Sequence, residues 1–385
     1  MKQTRIDDVK PHQRIFFTQF AVAVSLGGLI ARLPDLQTKF GLSEGQLGIL
    51  LISLSSGVLT GLTFSVRLVE RLGAKWSALV SVLGASLLFA IIPWMPSALS
   101  AAPLFFAAGI LTGMFEINSN IETDRHEAFL GYRIMSRAHG LWSTGFFLSA
   151  LAAAAFRQAD VSIEVHMLVV VGCILLAGTF VLPSVESAPL RFDQQSGKNP
   201  LISFPTIGLM PLCLVGAAPL LAEGASVDWS AIYMRDVFDA APFIGGLGPT
   251  IFSLAIALGR LFMDPMVDRY NPKDVAVALL GIATIGLVTV AIAAHPTIAL
   301  VGFALIGLGC SSIYPLAISA AAQRTDRPSP VNVAALSQTT FIVFFIGPPL
   351  LGFVAEHLGI RMSYWVVIPI VLAAILATRS LKTPA

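Results

Sequence analysis

Apolar residues run through this chain in twelve blocks, each closed by a short polar or charged connection. The blocks fall at 14–33, 45–66, 75–94, 101–121, 136–156, 165–183, 203–223, 243–264, 273–293, 297–318, 332–354 and 361–380. Each is about 20 residues, the length an α-helix needs to cross roughly 30 Å of hydrocarbon. In lipid the backbone must satisfy its own hydrogen bonds, so such blocks are predicted as transmembrane helices. The predicted fold class is an all-α membrane protein of twelve helices. The longest connection carries Ser184, Ser187, Ser196, Gly197, Asn199 and Pro200 and reads as a polar linker. It separates a first six-helix bundle (1–183) from a second (203–385), with the linker at 184–202.

Charge adds an orientation. In one set of alternate connections the Lys and Arg residues are only Arg32, Lys39, Arg157, Arg235 and Arg361, and the other set holds the rest of the 24. Basic residues accumulate on the cytoplasmic side, so both termini are predicted cytoplasmic. Composition agrees with a bilayer partner: 56% of residues are hydrophobic and 12% charged, against about 25% charged in a soluble domain. The net charge of +2 is segregated by membrane side, which is not how a nucleic-acid binder arranges it. Cys173, Cys213 and Cys310 lie inside apolar blocks without metal-ligand spacing and read as packing residues. The first block follows a basic N-terminus but ends in Arg32-Leu33-Pro34 rather than a signal cleavage site.

The two halves echo each other. Gly61 precedes Glu70-Arg71 by nine residues, and Gly259 precedes Asp268-Arg269 by nine. A half-chain repeat suggests two similar bundles that enclose a cavity and rock about it. The connection Val66-Arg67-Leu68-Val69-Glu70-Arg71-Leu72-Gly73-Ala74-Lys75 resembles the signature loop of the major facilitator superfamily, Gly-x-x-x-Asp-Arg-x-Gly-Arg-Arg/Lys. Val66, Glu70 and Ala74 depart from that pattern. Further matches are Gly113-Met114-Phe115-Glu116-Ile117-Asn118-Ser119-Asn120, Met135-Ser136-Arg137-Ala138-His139 with Ser143 and Gly145, and Glu223 through Ser230. Gly259-Arg260 with Asp264, and Gly347-Pro348-Pro349, add to them. Together they resemble the branch typified by YbjJ and MosC. The resemblance implies the major facilitator fold, a bacterial inner-membrane location, and a sugar- or cyclitol-sized solute. It also implies gating by Glu70 and Arg71, with Arg260, Asp264, Asp268 and Arg269 as their second-half counterparts.

Several polar groups fall inside apolar blocks. An ionised carboxylate at mid-membrane costs about 2.5–3.5 kcal/mol on insertion scales, so Glu116 must face a cavity, find a partner or carry a proton. Asn120 and Gly113 share its helix face; the alternative is that span four ends early and leaves Glu116 among headgroups. His139, whose type titrates near neutrality, and Glu223 are further proton-coupling candidates. Gln19, Asn120, Trp142, Ser143, Tyr314 and Gln338 are candidate solute contacts. Arg32 is expected to pair with Glu223 or Asp228 as an outer gate. Gly224 is expected to break span seven, with Trp229 either at a cavity mouth or in the interfacial aromatic belt. Pro315, Pro348 and Pro349 are expected to kink their helices.

No phosphate-binding Gly-x-x-x-x-Gly-Lys-Ser/Thr loop, His-Glu-x-x-His or Gly-x-Ser-x-Gly occurs. The expectation is therefore a monomeric secondary transporter, not an enzyme, without cofactor or metal. Its partners are a small solute, protons and the bilayer, and no nucleic acid. Efflux of toxic or amphipathic compounds on the same fold is the alternative.

Overall fold

The computed structural model describes residues 11–132, 134–189, 203–262 and 269–381. Every regular element among them is helical, and twelve helical segments are long and apolar enough to cross a membrane. The helices are α1 (Pro11–Ile30), α2 (Leu33–Phe40), α3 (Glu44–Phe64), α4 (Val66–Ala78), α5 (Gly84–Ile91), α6 (Ala98–Leu130), α7 (Met135–Gln158), α8 (Ile163–Val181) and α9 (Met210–Asp228). They continue as α10 (Ser230–Phe238), α11 (Pro242–Phe262), α12 (Pro272–Ile292), α13 (Pro296–Cys310), α14 (Ile313–Ala322), α15 (Ser329–Leu358), α16 (Ile360–Trp365) and α17 (Ile368–Ala377).

The chain divides into two compact units, Met1–Leu36 with Ser53–Gly197, and Gln37–Ile52 with Lys198–Ala385. Helix α3 thus begins in the second unit and ends in the first. In the first unit α3 and α6 cross backbone to backbone. A Cβ on Gly57 or Gly61 would strike the carbonyls of Phe106 and Ile110, and one on Gly109 or Gly113 those of Leu54 and Val58. Glycines four apart on both helices leave room for that approach, the small-residue packing that membrane helices use in place of hydrophobic drive. Van der Waals contact carries the rest of the unit, including a buried cluster of Ala21, Val22, Ala78, Val82 and Phe115.

In the second unit, a Cβ on Gly307 of α13 would lie 2.5 Å from the Phe252 carbonyl of α11. The first turns of α3 pack on α15 with similar economy. A Cβ on Gly48 would come within 2.6 Å of Pro348 O, and the Gly45 N–H donates to Glu356 Oε2 at 3.1 Å.

Three elements differ from the sequence expectation. Span seven starts at Met210, not 203, because residues 203–208 are bonded to α15 and the connection before it. Ser203 N–H donates to Gln338 Oε1 at 2.8 Å, and Arg324 and Arg327 donate to the carbonyls of Gly208 and Phe204 at 2.9 Å each. Gly224 does not break α9, whose helix runs on to Asp228; the break comes at Trp229. The connection at 66–75 is helical, interrupted only by Gly73, whose φ of 73° lies in the left-handed region open to glycine.

Candidate functional site

In the first unit, α6 runs for 33 residues and ends on Gly131 in the left-handed conformation. Glu116 therefore lies within the helix. The residues 116, 119, 120 and 123 occupy one face. Asn120 Nδ2 donates to Glu116 Oε1 at 2.9 Å. Gln19 of α1, fully buried, donates from Nε2 to Ser119 Oγ at 2.8 Å. Gln19 Oε1, Asn120 Oδ1 and Thr123 Oγ1 are buried without a hydrogen-bond partner. Gly113 serves the α3 crossing rather than this polar face.

On α7, Ser143 Oγ donates to the His139 carbonyl at 3.2 Å. Trp142 stacks on Phe146 with ring centroids 5.6 Å apart and packs against the apolar cluster. Arg32 is buried at the far end of α1. It pairs with Asp35 and donates from Nη2 to Val161 O at 2.8 Å, while Arg157 holds the other Asp35 oxygen at 3.0 Å. The partner expected for Arg32, Glu223 or Asp228, is replaced by an acid three residues along its own chain. An arginine followed by an acid at i+3 was the available signal.

In the second unit, Arg260 Nη2 of α11 lies 3.9 Å from Glu223 Oε2 of α9. Arg260 Nε also donates to the Ser311 carbonyl at 3.4 Å. That carbonyl is available because residue 315 is proline. Pro315 has no N–H to return to Ser311, so α13 stops at Cys310 and α14 restarts at Ile313. Asp228 closes α9, and Trp229 is fully buried beside Gly352, which places it inside the unit rather than in an aromatic belt. Tyr314 Oη bonds Ser337 Oγ at 3.2 Å and its ring meets Phe341 edge-on.

The sequence profile of the Major Facilitator Superfamily matches residues 212–385. An uncharacterized transporter, y4wD, of Sinorhizobium fredii is 28% identical over 89% of this chain and 91% of its own. An MFS-type transporter of Yersinia pestis is 25% identical over 94% and 93%. The membrane protein MosC of Rhizobium meliloti is 22% identical over 94% and 88%. The second half of the chain thus carries the match to the major facilitator superfamily, and a relative similar along 94% of the chain is of MFS type. The fold of this chain is similar to that of the nucleoside transporter NupG, with a TM-score of 0.69 at 13% identity over 98% of this chain and all of that one. A bacterial homologue of the lysosomal transporter Spinster gives 0.68 at 13% over 98% and 100%.

In the connection that resembles the superfamily signature, Glu70 and Arg71 are exposed on α4 and unpaired among the described residues. In the second-half counterpart, Arg269 lies against the Tyr270 ring at 5.9 Å, and Asp264 and Asp268 fall outside the described residues. Gln338 holds the end of the linker. Ser119 and Ser311 were not singled out from the sequence. Serine in an apolar helix carries no local signal, although a proline four residues after Ser311 marks its carbonyl as free. His166 was missed as well: it is fully buried against Phe156, with neither ring nitrogen partnered.

Proposed function

We propose that this protein is a secondary active transporter in a bacterial inner membrane, with both termini cytoplasmic. It moves a small polar solute, sugar- or cyclitol-sized, by alternating access, and the proton gradient drives it. The observation that carries this reading is Glu116. Its carboxylate sits inside a membrane helix, bonded to Asn120, with no Lys, Arg or His among the described residues paired to it. Glu223 differs, since Arg260 compensates its charge. A membrane carboxylate without a cation is the group for which a travelling proton does the most. Ser119, Asn120 and Thr123 on the same helix face, with Gln19 reaching it from α1, add hydrogen-bonding capacity, which suits a polar solute. His139, one helix away on α7, is the second proton-coupling candidate.

The test is uptake into proteoliposomes under an imposed pH gradient. Glu116→Gln should abolish gradient-driven accumulation and retain part of solute exchange. Undiminished accumulation by that variant removes Glu116 from the coupling. Efflux of amphipathic compounds is a second reading, favoured by the Tyr314, Phe341 and Phe344 rings that touch in the second unit. Gradient-driven extrusion of a lipophilic dye, with no uptake of polar solutes, would select it.

A further inference from the structure

Span three is not a plain α-helix. Between α4 and α5 the residues Leu79–Leu83 form one turn of π-helix. Such a turn bonds i to i+5 instead of i+4, so it holds a residue more than the helix on either side, and helices kink there. The two flanks of this turn are held unequally. On one side α5 is locked into the unit: Ala85 and Phe89 are fully buried, and the hydroxyls of Ser86 and Ser25 of α1 lie 2.6 Å apart. On the other side α4 leaves Arg67, Leu68, Glu70, Arg71, Lys75 and Trp76 exposed. It rests on the small side chains of Ala74, Ser77 and Ala78. The hydrogen bond that ties it to α6, from Asn118 Nδ2 to the Ala74 carbonyl, is 3.3 Å long.

Bending a helix in hydrocarbon strands carbonyls, because no water replaces a lost N–H. Serine hydroxyls meet that need at this turn. Ser81 Oγ donates to the Ser77 carbonyl at 2.6 Å, and Ser86 Oγ donates to the Val82 carbonyl at 2.7 Å. Each donor travels with its own helix, so these carbonyls keep a partner while the turn opens. The turn also has a neighbour at the polar face. Ala78 and Val82 share an apolar cluster with Phe115, the residue before Glu116, and Leu79 and Leu83 pack against it. A change at Glu116 therefore reaches the turn through one packed side chain. We infer that the Leu79–Leu83 turn is the joint on which α4 swings, carrying Glu70 and Arg71, while α5 stays fixed. This rests on the transport reading for the cycle the swing serves, whereas the swing itself belongs to the first unit alone.

The experiment reads distances between spin labels in the full-length protein, reconstituted without solute. One label sits on the native Cys173 of α8, which is exposed, whereas Cys213 and Cys310 are buried. The second sits on Leu68→Cys of α4 or, as the control, on Leu87→Cys of α5. Leu68 lies 11 positions from Leu79, a lever of roughly 16 Å, so a bend of about 20° moves its label by roughly 5 Å. The Cys173–Leu68 distance should be spread or doubled by about that much in the wild type or in Glu116→Gln, with the Cys173–Leu87 distance single. Deleting Val80, an outward-facing residue of the turn, leaves a continuous α-helix and should narrow the Cys173–Leu68 distance to one value. Amide exchange in the wild type serves if that variant does not fold: Ser81, Val82 and Leu83 should exchange about tenfold faster than Leu88, Phe89 and Ala90. A Cys173–Leu68 distance as narrow as the control in both proteins overturns the inference. So does a spread that survives the deletion, or equal protection on the two sides. A rigid span three leaves the transport reading standing, and a swinging α4 in a protein that accumulates no solute does the reverse.

Discussion

At the scale of single residues, the second unit shows how an acid is kept in an apolar bundle. Glu223 and Arg260 lie 3.9 Å apart, and Arg260 leans on a carbonyl that Pro315 leaves unbonded. Breaking a buried pair leaves an uncompensated charge, which costs more than removing both partners. Arg260→Gln should therefore lower thermal stability by about 1–3 kcal/mol. Adding Glu223→Gln to it should recover a substantial part of the loss. A double variant no more stable than the single one would show that the two side chains are not energetically coupled. Arg32 obeys the same rule with a local solution, an acid at i+3 shared with Arg157. The sequence displayed each of these charges in its helix but not its partner, since Glu223 and Arg260 come together through the packing of α9 on α11.

At the scale of elements, the α3–α6 crossing explains glycines that read from sequence as parts of a motif or a polar face. Gly61 and Gly113 stand where two helix backbones touch. Replacing a helical glycine by alanine ordinarily stabilises by up to about 1 kcal/mol. At Gly61 the added methyl would meet the Ile110 carbonyl, so the sign reverses and Gly61→Ala should destabilise by about 1–3 kcal/mol. Gly172 of α8 has nothing within 4 Å of its missing Cβ. Gly172→Ala is the internal control and should be neutral or stabilising. Equal thermal stability of the two variants would rule out a tight crossing. The helix breaks teach a similar lesson. The sequence pointed to Pro315 as a kink, but the interruption falls at residues 311–312, upstream, where the lost N–H would have bonded.

At the scale of the whole molecule, each end of the linker is stitched to its own unit. Ala188 N–H donates to the buried Glu122 at 3.2 Å, and Arg14 donates to the Ser184 carbonyl and lies 3.8 Å from Glu186. On the other side Asp326 gathers Arg324, Asn332 and Thr206. Those bonds, Arg324's first, hold the Asp326 carboxyl well below the ordinary 3.8. A carboxyl depressed in the folded state contributes stability in full above its ordinary value and loses it as pH falls through the depressed one. Protection of the Ser203, Leu209 and Met210 amides, measured by hydrogen exchange and corrected for intrinsic rates, should be constant from pH 7 to about 4 and decline below. In Asp326→Asn it should already be reduced at pH 7. Full protection in that variant would mean the stitch holds without the charge.

The sequence by itself determined the twelve crossings, the class of fold, the family resemblance and the presence of charge inside helices. These follow from run length and residue type, because hydrocarbon admits only self-bonded helices. Tertiary structure alone decided which charges meet, which polar atoms are left without partners, and that the segment 37–52 of the first half packs within the second unit. Such outcomes depend on contacts between helices distant in the chain, where Gln19 reaches Ser119 and Arg260 reaches Glu223. No local pattern of residues encodes a rotation of one helix about another, and that rotation is what sets the chemistry of the Glu116 face.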